Sequence, residues 1–259
     1  MKCKYCGKEY KLNTNIPDFL PESWKERVKY IPSCDCLEKK QKEELRQQEL
    51  KLEKERVMNK VKKYKEISIM DSKLFKSTFD TAQMNERHMN LCKRYAEKFV
   101  KIGTAPQGLF LYGSVGTGKT FASACIANYL MENGKTVLVM NLGLYLIKLQ
   151  KDWAEAESDV LNYVKNCDLL IIDDLGVEKI SDWVRDKVFT LIDTRYRAEK
   201  PLIITTNLDL RGKDEKTAIE ARFGIRVADR IDEMCYSTLI SGESKRKTRL
   251  KNDFLEFIA

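Results

Sequence analysis

Uninterrupted apolar runs of strand length recur along the chain at 109–112, 137–140, 169–172 and 202–204, with a weaker one at 237–240. Continuous apolar runs, unlike alternating ones, mark strands covered on both faces. Longer mixed stretches of helical character separate them. From about residue 67 the chain therefore reads as an α/β domain on a largely parallel sheet. Upstream the pattern changes. Residues 37–66 hold no Gly or Pro and are dominated by Lys, Glu, Gln and Arg, which predicts a helix. Leu50, Val57, Val61 and Tyr64 form one narrow apolar stripe along it, and pairs such as Glu38–Lys42 add local support. That stripe fits a solvated helical linker, and equally a coiled-coil or partner-docking helix.

Composition narrows the class. The chain has 259 residues, a third of them charged, with a formal net charge of +8. A basic balance points weakly to an acidic partner such as nucleic acid, and solubility alone also accounts for it. No apolar run has the length of a membrane span, and the start of the chain lacks an apolar signal core, so a cytoplasmic location with reduced cysteines is expected and no membrane partner. The single histidine, His88, lies on a polar stretch and is expected at the surface, which sets histidine-dependent catalysis aside.

The strongest chemical signal is GSVGTGKT at 113–120, placed between an apolar run and an Ala-rich stretch. That is the strand–loop–helix order of a phosphate-binding loop. Gly113, Gly116 and Gly118, with Ser114, Val115 and Thr117 between them, let backbone N–H groups converge on phosphates. The helix that follows presents its positive end to the same anion. Lys119 is expected to reach the outer phosphates, and the Thr120 hydroxyl to bind Mg²⁺. The run at 169–172 ends in Asp173 and Asp174, expected to hold Mg²⁺ and to orient the attacking water. The run at 202–204 leads to Thr205, Thr206 and Asn207; laid beside the Asp173 strand, it would bring the Asn207 amide to the γ-phosphate. Arg222, Arg226, Arg230 and Arg246 follow, and each is suited to neutralising phosphate charge from its own chain or a neighbour.

A second signal lies in residues 1–36, which hold four of the eight cysteines and three of the five prolines. Cys3 and Cys6 form one knuckle, and Cys34 and Cys36 another. Four thiols so grouped suit one tetrahedral Zn²⁺, although a single residue in the second knuckle and the long gap between knuckles depart from common spacings. So short a segment with few large apolar residues needs such a staple to fold. Cys92, Cys125, Cys167 and Cys235 are scattered and read as small core residues.

In the order GSVGTGKT, LLIIDDLG, ITTN, VADRI and SGESKR, roughly residues 70–250 resemble the AAA+ ATPases of the initiator group. More narrowly they resemble bacterial replicative helicase loaders of the DnaC and DnaI type, relatives of the IstB transposition ATPase. The resemblance implies a P-loop NTPase domain with a five-stranded parallel sheet, ATP and Mg²⁺ as ligands, ATP-bridged self-assembly and binding to single-stranded DNA. It implies that Lys119 and Thr120 are Walker A residues, Asp173 and Asp174 Walker B, and Asn207 sensor 1. Arg230 then stands as the arginine finger, with Arg226 as its rival, and Arg246 as the sensor 2 arginine. The wider pattern has Glu where Asp174 stands, and the shorter side chain implies slow, switch-like hydrolysis. The family's small C-terminal helical lid is expected to be missing.

The domain expectation is a zinc-binding, helicase-docking module at 1–36, a charged helical linker at 37–66 and the ATPase domain at 67–259. The expected function is ATP-dependent loading of a hexameric replicative helicase onto single-stranded DNA. The alternatives are an IstB-like transposition helper and an ATP-binding adaptor that does not hydrolyse. Two segments are candidates for DNA contact. One is the basic tail at 245–251. The other is 142–165, which in initiator-type ATPases lines a DNA channel, although Tyr145, Leu146, Leu149 and Trp153 also fit one apolar helix face.

Overall fold

The computed structural model describes residues 1–68, 74–82, 84, 86–151 and 153–245, with backbone only at 151 and 153–157. By internal packing the chain divides into Met1–Arg56 and Val57–Ala259.

The first unit is small and loop-rich. Strand β1 (Lys11–Leu12) pairs antiparallel with β2 (Tyr30–Ile31), and helix α1 (Glu22–Val28) starts directly after Pro21. A proline there supplies a fixed φ before the first turn. Among its described residues, Cys3 is the sole buried apolar side chain, while Phe19 and Trp24 are exposed. No hydrophobic core holds this unit together. Helix α2 (Cys36–Ile67) begins at its last cysteine, and every residue from 37 to 56 is exposed.

The second unit is a three-layer α/β/α domain. Within it the apolar stripe of α2 finds its purpose only at the C-terminal end, where Val61 and Tyr64 are buried. Five parallel strands follow: β3 (Gly108–Tyr112), β4 (Val137–Asn141), β5 (Leu169–Asp173), β6 (Leu202–Thr206) and β7 (Cys235–Leu239). Their order across the sheet is β4-β5-β6-β3-β7. Alternate residues feed two cores. Phe110, Leu138, Leu170 and Ile204 pack on one face, and Leu111, Val139, Ile171 and Ile203 on the other. The second face is covered by α3 (Arg87–Ile102) and α4 (Lys119–Glu132). Helix α4 is buried nearly all round, which explains its Ala-rich composition. The first face is covered by α5 (Leu142–Lys151), α6 (Trp153–Asn166), α7 (Asp182–Arg197), α8 (Ile219–Phe223) and α9 (Ile225–Met234). Tyr145, Leu146 and Leu149 are buried in this layer, as core residues; the Trp153 side chain lies outside the described residues.

Two expectations need correction. The last strand spans Cys235–Leu239, earlier than the weak run at 237–240, because an edge strand leaves Tyr236, Ser237 and Leu239 exposed and blurs its apolar signature. His88 is not a surface residue: its side chain is only 13 % exposed, packed at the start of α3 beside Glu86. Burial lowers its pKa, partly opposed by the Glu86 charge.

Buried Arg195 on α7 ties the opposite edge of the sheet. It is fully buried and donates to the carbonyls of Pro201 (3.1 and 2.8 Å), Val164 (2.9 Å), Cys167 (2.9 Å) and Asp168 (2.9 Å). Val164 lies in the last turn of α6, and the other three carbonyls stand just before β5 and β6, so one guanidinium ties that helix end to the starts of both strands.

Candidate functional site

Because all five strands run parallel, their C-terminal ends lie along one edge. Registers set the spacing: Tyr112 is level with Thr206 on one side and Leu239 on the other, and Ile172 is level with Ile204. The phosphate loop at 113–118 and Asn207 therefore leave adjacent strands about 4.8 Å apart, with Asp173 on the next strand over.

The loop has the conformation its glycines permit. Gly118 caps α4 at φ 101°, a left-handed geometry that side chains resist. Gly113, at φ 127°, lies so close to β7's exit that a Cβ there would stand 2.5 Å from Ile240 O. Lys119, buried, donates to Gly113 O at 2.8 Å and Ser114 O at 2.7 Å, and Thr117 Oγ1 donates to Ser114 O at 2.9 Å. The loop is thus fastened from inside by two of its own side chains, while Ser114 and Val115 face solvent.

Asp173 lies at the end of β5 in contact with both neighbours. Thr205 Oγ1 donates to its Oδ1 at 2.6 Å, and the Thr120 hydroxyl lies near enough to favour its charged form. Burial raises its pKa, opposed by those two hydroxyls and by the Lys119 charge, while the Asp174 charge raises it further. The Thr120 hydroxyl and the half-buried Asp173 carboxylate are hard oxygen donors beside one another, and a divalent cation held by both would offset the carboxylate's desolvation. The residues fit Mg²⁺.

Asp174 adopts φ 55°, one of two non-glycine residues with positive φ among the described residues. Such conformations persist where surroundings enforce them. Here Asp174 N–H donates to Thr205 Oγ1 at 3.0 Å, Leu175 N–H donates to Thr205 O at 2.9 Å, and Thr206 Oγ1 donates to Leu175 O at 2.5 Å. Both threonines are fully buried. The two residues before Asn207 clamp the acidic turn, a role that sequence reading did not assign. Asn207 itself is exposed at the end of β6.

The arginines differ sharply. Arg230 Nη2 pairs with Asp193 Oδ1 at 2.7 Å, and its guanidinium stacks 4.5 Å from the Phe189 ring and 5.3 Å from the Tyr196 ring. It is held on α7 of its own chain. Arg226, one turn earlier on α9, is exposed and makes no hydrogen bond or ion pair among the described residues. Arg222 bonds the Glu178 carbonyl and, at 3.1 Å, the Glu215 carbonyl. Arg246 lies outside the described residues. Glu178, missed in the sequence, is a buried carboxylate whose Oε2 accepts from Gly176 N–H at 3.0 Å and whose pKa burial pushes up.

In the first unit the four cysteines come together. The Sγ atoms of Cys3, Cys6, Cys34 and Cys36 all lie within 4.8 Å of one another. A tetrahedral site with Zn–S bonds of about 2.3 Å places its sulfurs about 3.8 Å apart, so the cluster fits zinc. Tyr5 N–H donates to Cys3 Sγ at 3.4 Å, and this bond is the leading cause that lowers the Cys3 pKa to about 7. Cys36 is pushed up to about 12, chiefly by its hydrogen bonds with the Cys6 and Cys34 thiols. Thiols this close cannot all ionise unless a cation sits among them.

Comparison with known proteins agrees with this geometry. The family model for IstB-like ATP binding protein matches residues 19–252. The replicative helicase loader DnaI of Bacillus subtilis (strain 168) is 29% identical over 151 residues, covering 54% of this chain and 48% of that protein. The replicative helicase loader DnaC of Escherichia coli (strain K12) is 30% identical over 152 residues, covering 58% of each. The chain thus spans about half the length of the curated relatives it matches. Among solved structures, DnaI matches with TM-score 0.54 and 27% identity over 69% of this chain and 95% of that one. The DnaC helicase loader matches with TM-score 0.55 and 27% identity over 66% and 100%. AMPPCP-bound DnaA from Aquifex aeolicus, at 21% identity and TM-score 0.52 over 70% and 56%, shares the fold. With its phosphate loop, parallel sheet and a family match over most of its length, the chain belongs to the IstB-like ATP-binding proteins.

Proposed function

We propose that this chain is an ATP hydrolase that loads a hexameric replicative helicase onto single-stranded DNA. The observation that carries the reading is the phosphate loop at the same sheet edge as Asp173, whose carboxylate Thr205 holds. The two relatives, both named replicative helicase loaders, supply the direction of the work.

In this reading the N–H groups of 114–120 and the α4 N-terminus bind phosphate oxygens, and Lys119 meets the outer phosphates. Thr120 and Asp173 would hold Mg²⁺, which when bound would supply charge neutralisation at the transferred phosphoryl group. Asp174 orients the attacking water from a turn that Thr205 fixes, and Asn207 aligns that water against the γ-phosphate. Arg246 acts as a sensor of the same phosphate. The short Asp174 side chain makes turnover slow, as suits a switch. ATP favours self-assembly and grip on DNA, and hydrolysis favours release. The four cysteines hold zinc and shape a docking module, which with the charged helix grips the helicase in the cytoplasm.

One observation favours a second reading of the finger. Arg230 is pinned by Asp193 and two rings, whereas Arg226 is exposed. A finger acting on a neighbour's ATP must reach outward, so Arg226 takes the role while Arg230 fastens α9 to α7.

The test uses the full chain, a bacterial replicative helicase and a single-stranded DNA circle. ATP should drive deposition of helicase on the circle, and Lys119→Ala should abolish both phosphate release and deposition. Nucleotide binding with no hydrolysis under any combination would leave an adaptor instead. Hydrolysis stimulated by DNA without any helicase contact would leave a transposition helper.

A further inference from the structure

The chain beyond β7 lies across the phosphate loop. Lys245 N–H donates to Gly116 O at 3.0 Å, and a Cβ on Gly116 would overlap Ser244 Oγ. Residues 244–245 are therefore in direct contact with the loop through both backbone and side chain. The Lys245 side chain then runs beside the last loop glycine. Its Nζ lies 3.5 Å, and its Cδ and Cε 3.9 Å, from where a Gly118 Cβ would stand. Its ammonium ends on Glu86 Oε2, at the residue that precedes α3, and His88 Nε2 approaches the same oxygen at 3.4 Å.

Three physical points bear on this arrangement. Gly118 caps the N-terminus of α4, where the helix already favours negative charge. Lys119 occupies the inside of the loop, so Lys245 is a second cation along its open flank. The Lys245 and Glu86 side chains are 41 % and 26 % exposed, and solvent-facing pairs of that kind are weak. A polyanion bound in the loop brings several charges next to this ammonium and outbids a single carboxylate.

We propose that Lys245 is a further phosphate-binding residue of the nucleotide site, held in reserve by Glu86 and transferred from it to the phosphates when nucleotide binds. The proposal rests on the ATP-site reading above. Its consequence is that nucleotide moves the Lys245 side chain from Glu86 to the phosphates and frees Glu86, while the backbone of 244–245 stays on the loop.

Binding of Mg²⁺-ATP carrying a fluorescent ribose label to the full chain tests this, with Lys245→Ala, Glu86→Gln and the double variant. Charge-assisted hydrogen bonds are worth about 1.5–3 kcal/mol, so Lys245→Ala should weaken binding by roughly 10-fold or more. Glu86→Gln removes the competitor and should tighten binding. In the Lys245→Ala background the same Glu86→Gln change should have no effect. Weaker binding by Glu86→Gln, equal to that of Lys245→Ala, would make the pair a structural tie and overturn the proposal. Unchanged affinity in Lys245→Ala would overturn it too. If wild type binds no nucleotide, the ATP-site reading itself fails, and that outcome is separate from the other two. Thermal unfolding of each variant confirms that the fold is intact.

Discussion

Thr205→Val isolates what the Thr205 hydroxyl on β6 contributes to the acidic turn. The substitution keeps the side-chain shape, so it opens no cavity, but it deletes Oγ1. Two hydrogen bonds go with it: the 2.6 Å donation to Asp173 Oδ1 and the 3.0 Å acceptance from Asp174 N–H. The first is charge-assisted, about 1.5–3 kcal/mol, and the second neutral, about 0.5–1.5 kcal/mol, so a loss of about 2–4 kcal/mol follows at neutral pH. The pH dependence has a defined sign. Burial already raises the Asp173 pKa, and the Thr205 hydroxyl opposes that. Without it the folded pKa rises further. A carboxyl whose folded pKa lies above its unfolded value holds its proton more tightly in the folded state. Its contribution therefore falls as pH rises through the interval between the ordinary carboxylate value and the raised one. The Val variant's deficit is thus full at neutral pH and shrinks on acidification into that interval. Urea unfolding across pH measures this, and phosphate release at saturating Mg²⁺-ATP measures the turn. With Asp174 no longer tethered, hydrolysis should drop by roughly 10²-fold while ATP affinity stays near wild type. Thr205→Ser keeps the hydroxyl and is the control. If the Val variant matches the Ser variant in both stability and turnover, the clamp contributes nothing and the reasoning is wrong.

Other outcomes follow from the same structure. The purified chain should carry about one zinc, and Cys34→Ser with Cys36→Ser should unfold residues 1–36 while Val57–Ala259 keeps its cooperative transition; freshly purified, reduced protein without zinc would sink the metal assignment. Arg195→Met should destabilise the second unit by about 3–5 kcal/mol, because the carbonyls of Pro201, Val164, Cys167 and Asp168 all lose bonds to its charged guanidinium, and a change below about 1 kcal/mol in urea unfolding would contradict that account. Mixing Lys119→Ala with an arginine variant identifies the finger, since one competent site forms from the loop of one chain and the arginine of the other. Activity should reappear with Arg226→Ala and not with Arg230→Ala; the reverse would restore Arg230 to the role.

The buried strands were legible because both faces of each are covered, which leaves an unbroken apolar run. β7 was less so, since an edge strand carries polar residues on its open side. Strand order was not legible: nothing local to 109–112 says that its neighbours are β6 and β7. The phosphate loop and acidic pair could be read from residue types and spacing, because backbone geometry there demands glycine and the chemistry demands those side chains. Arg195 was missed, although it falls in step with Val184, Val188, Leu191 and Ile192 on the apolar face of α7. A charged residue in that register was the available sign. His88 was misjudged because helical pattern alone does not reveal that its ring packs beside Glu86, where Lys245 also ends.

The place of β3 in the sheet has a consequence for how the molecule is made. Its two neighbours are β6 and β7, which follow it in the chain by some ninety residues or more. A nascent chain that has emerged only through α7 carries the complete phosphate loop, yet both edges of the strand beneath it are bare. Such pairings across long sequence separation form late and leave sticky edges in the meantime. The loop that binds nucleotide is therefore among the first site elements translated and the last to be seated. A nucleotide bound at the seated loop would favour the finished fold over one whose β3 is still unpaired, by mass action.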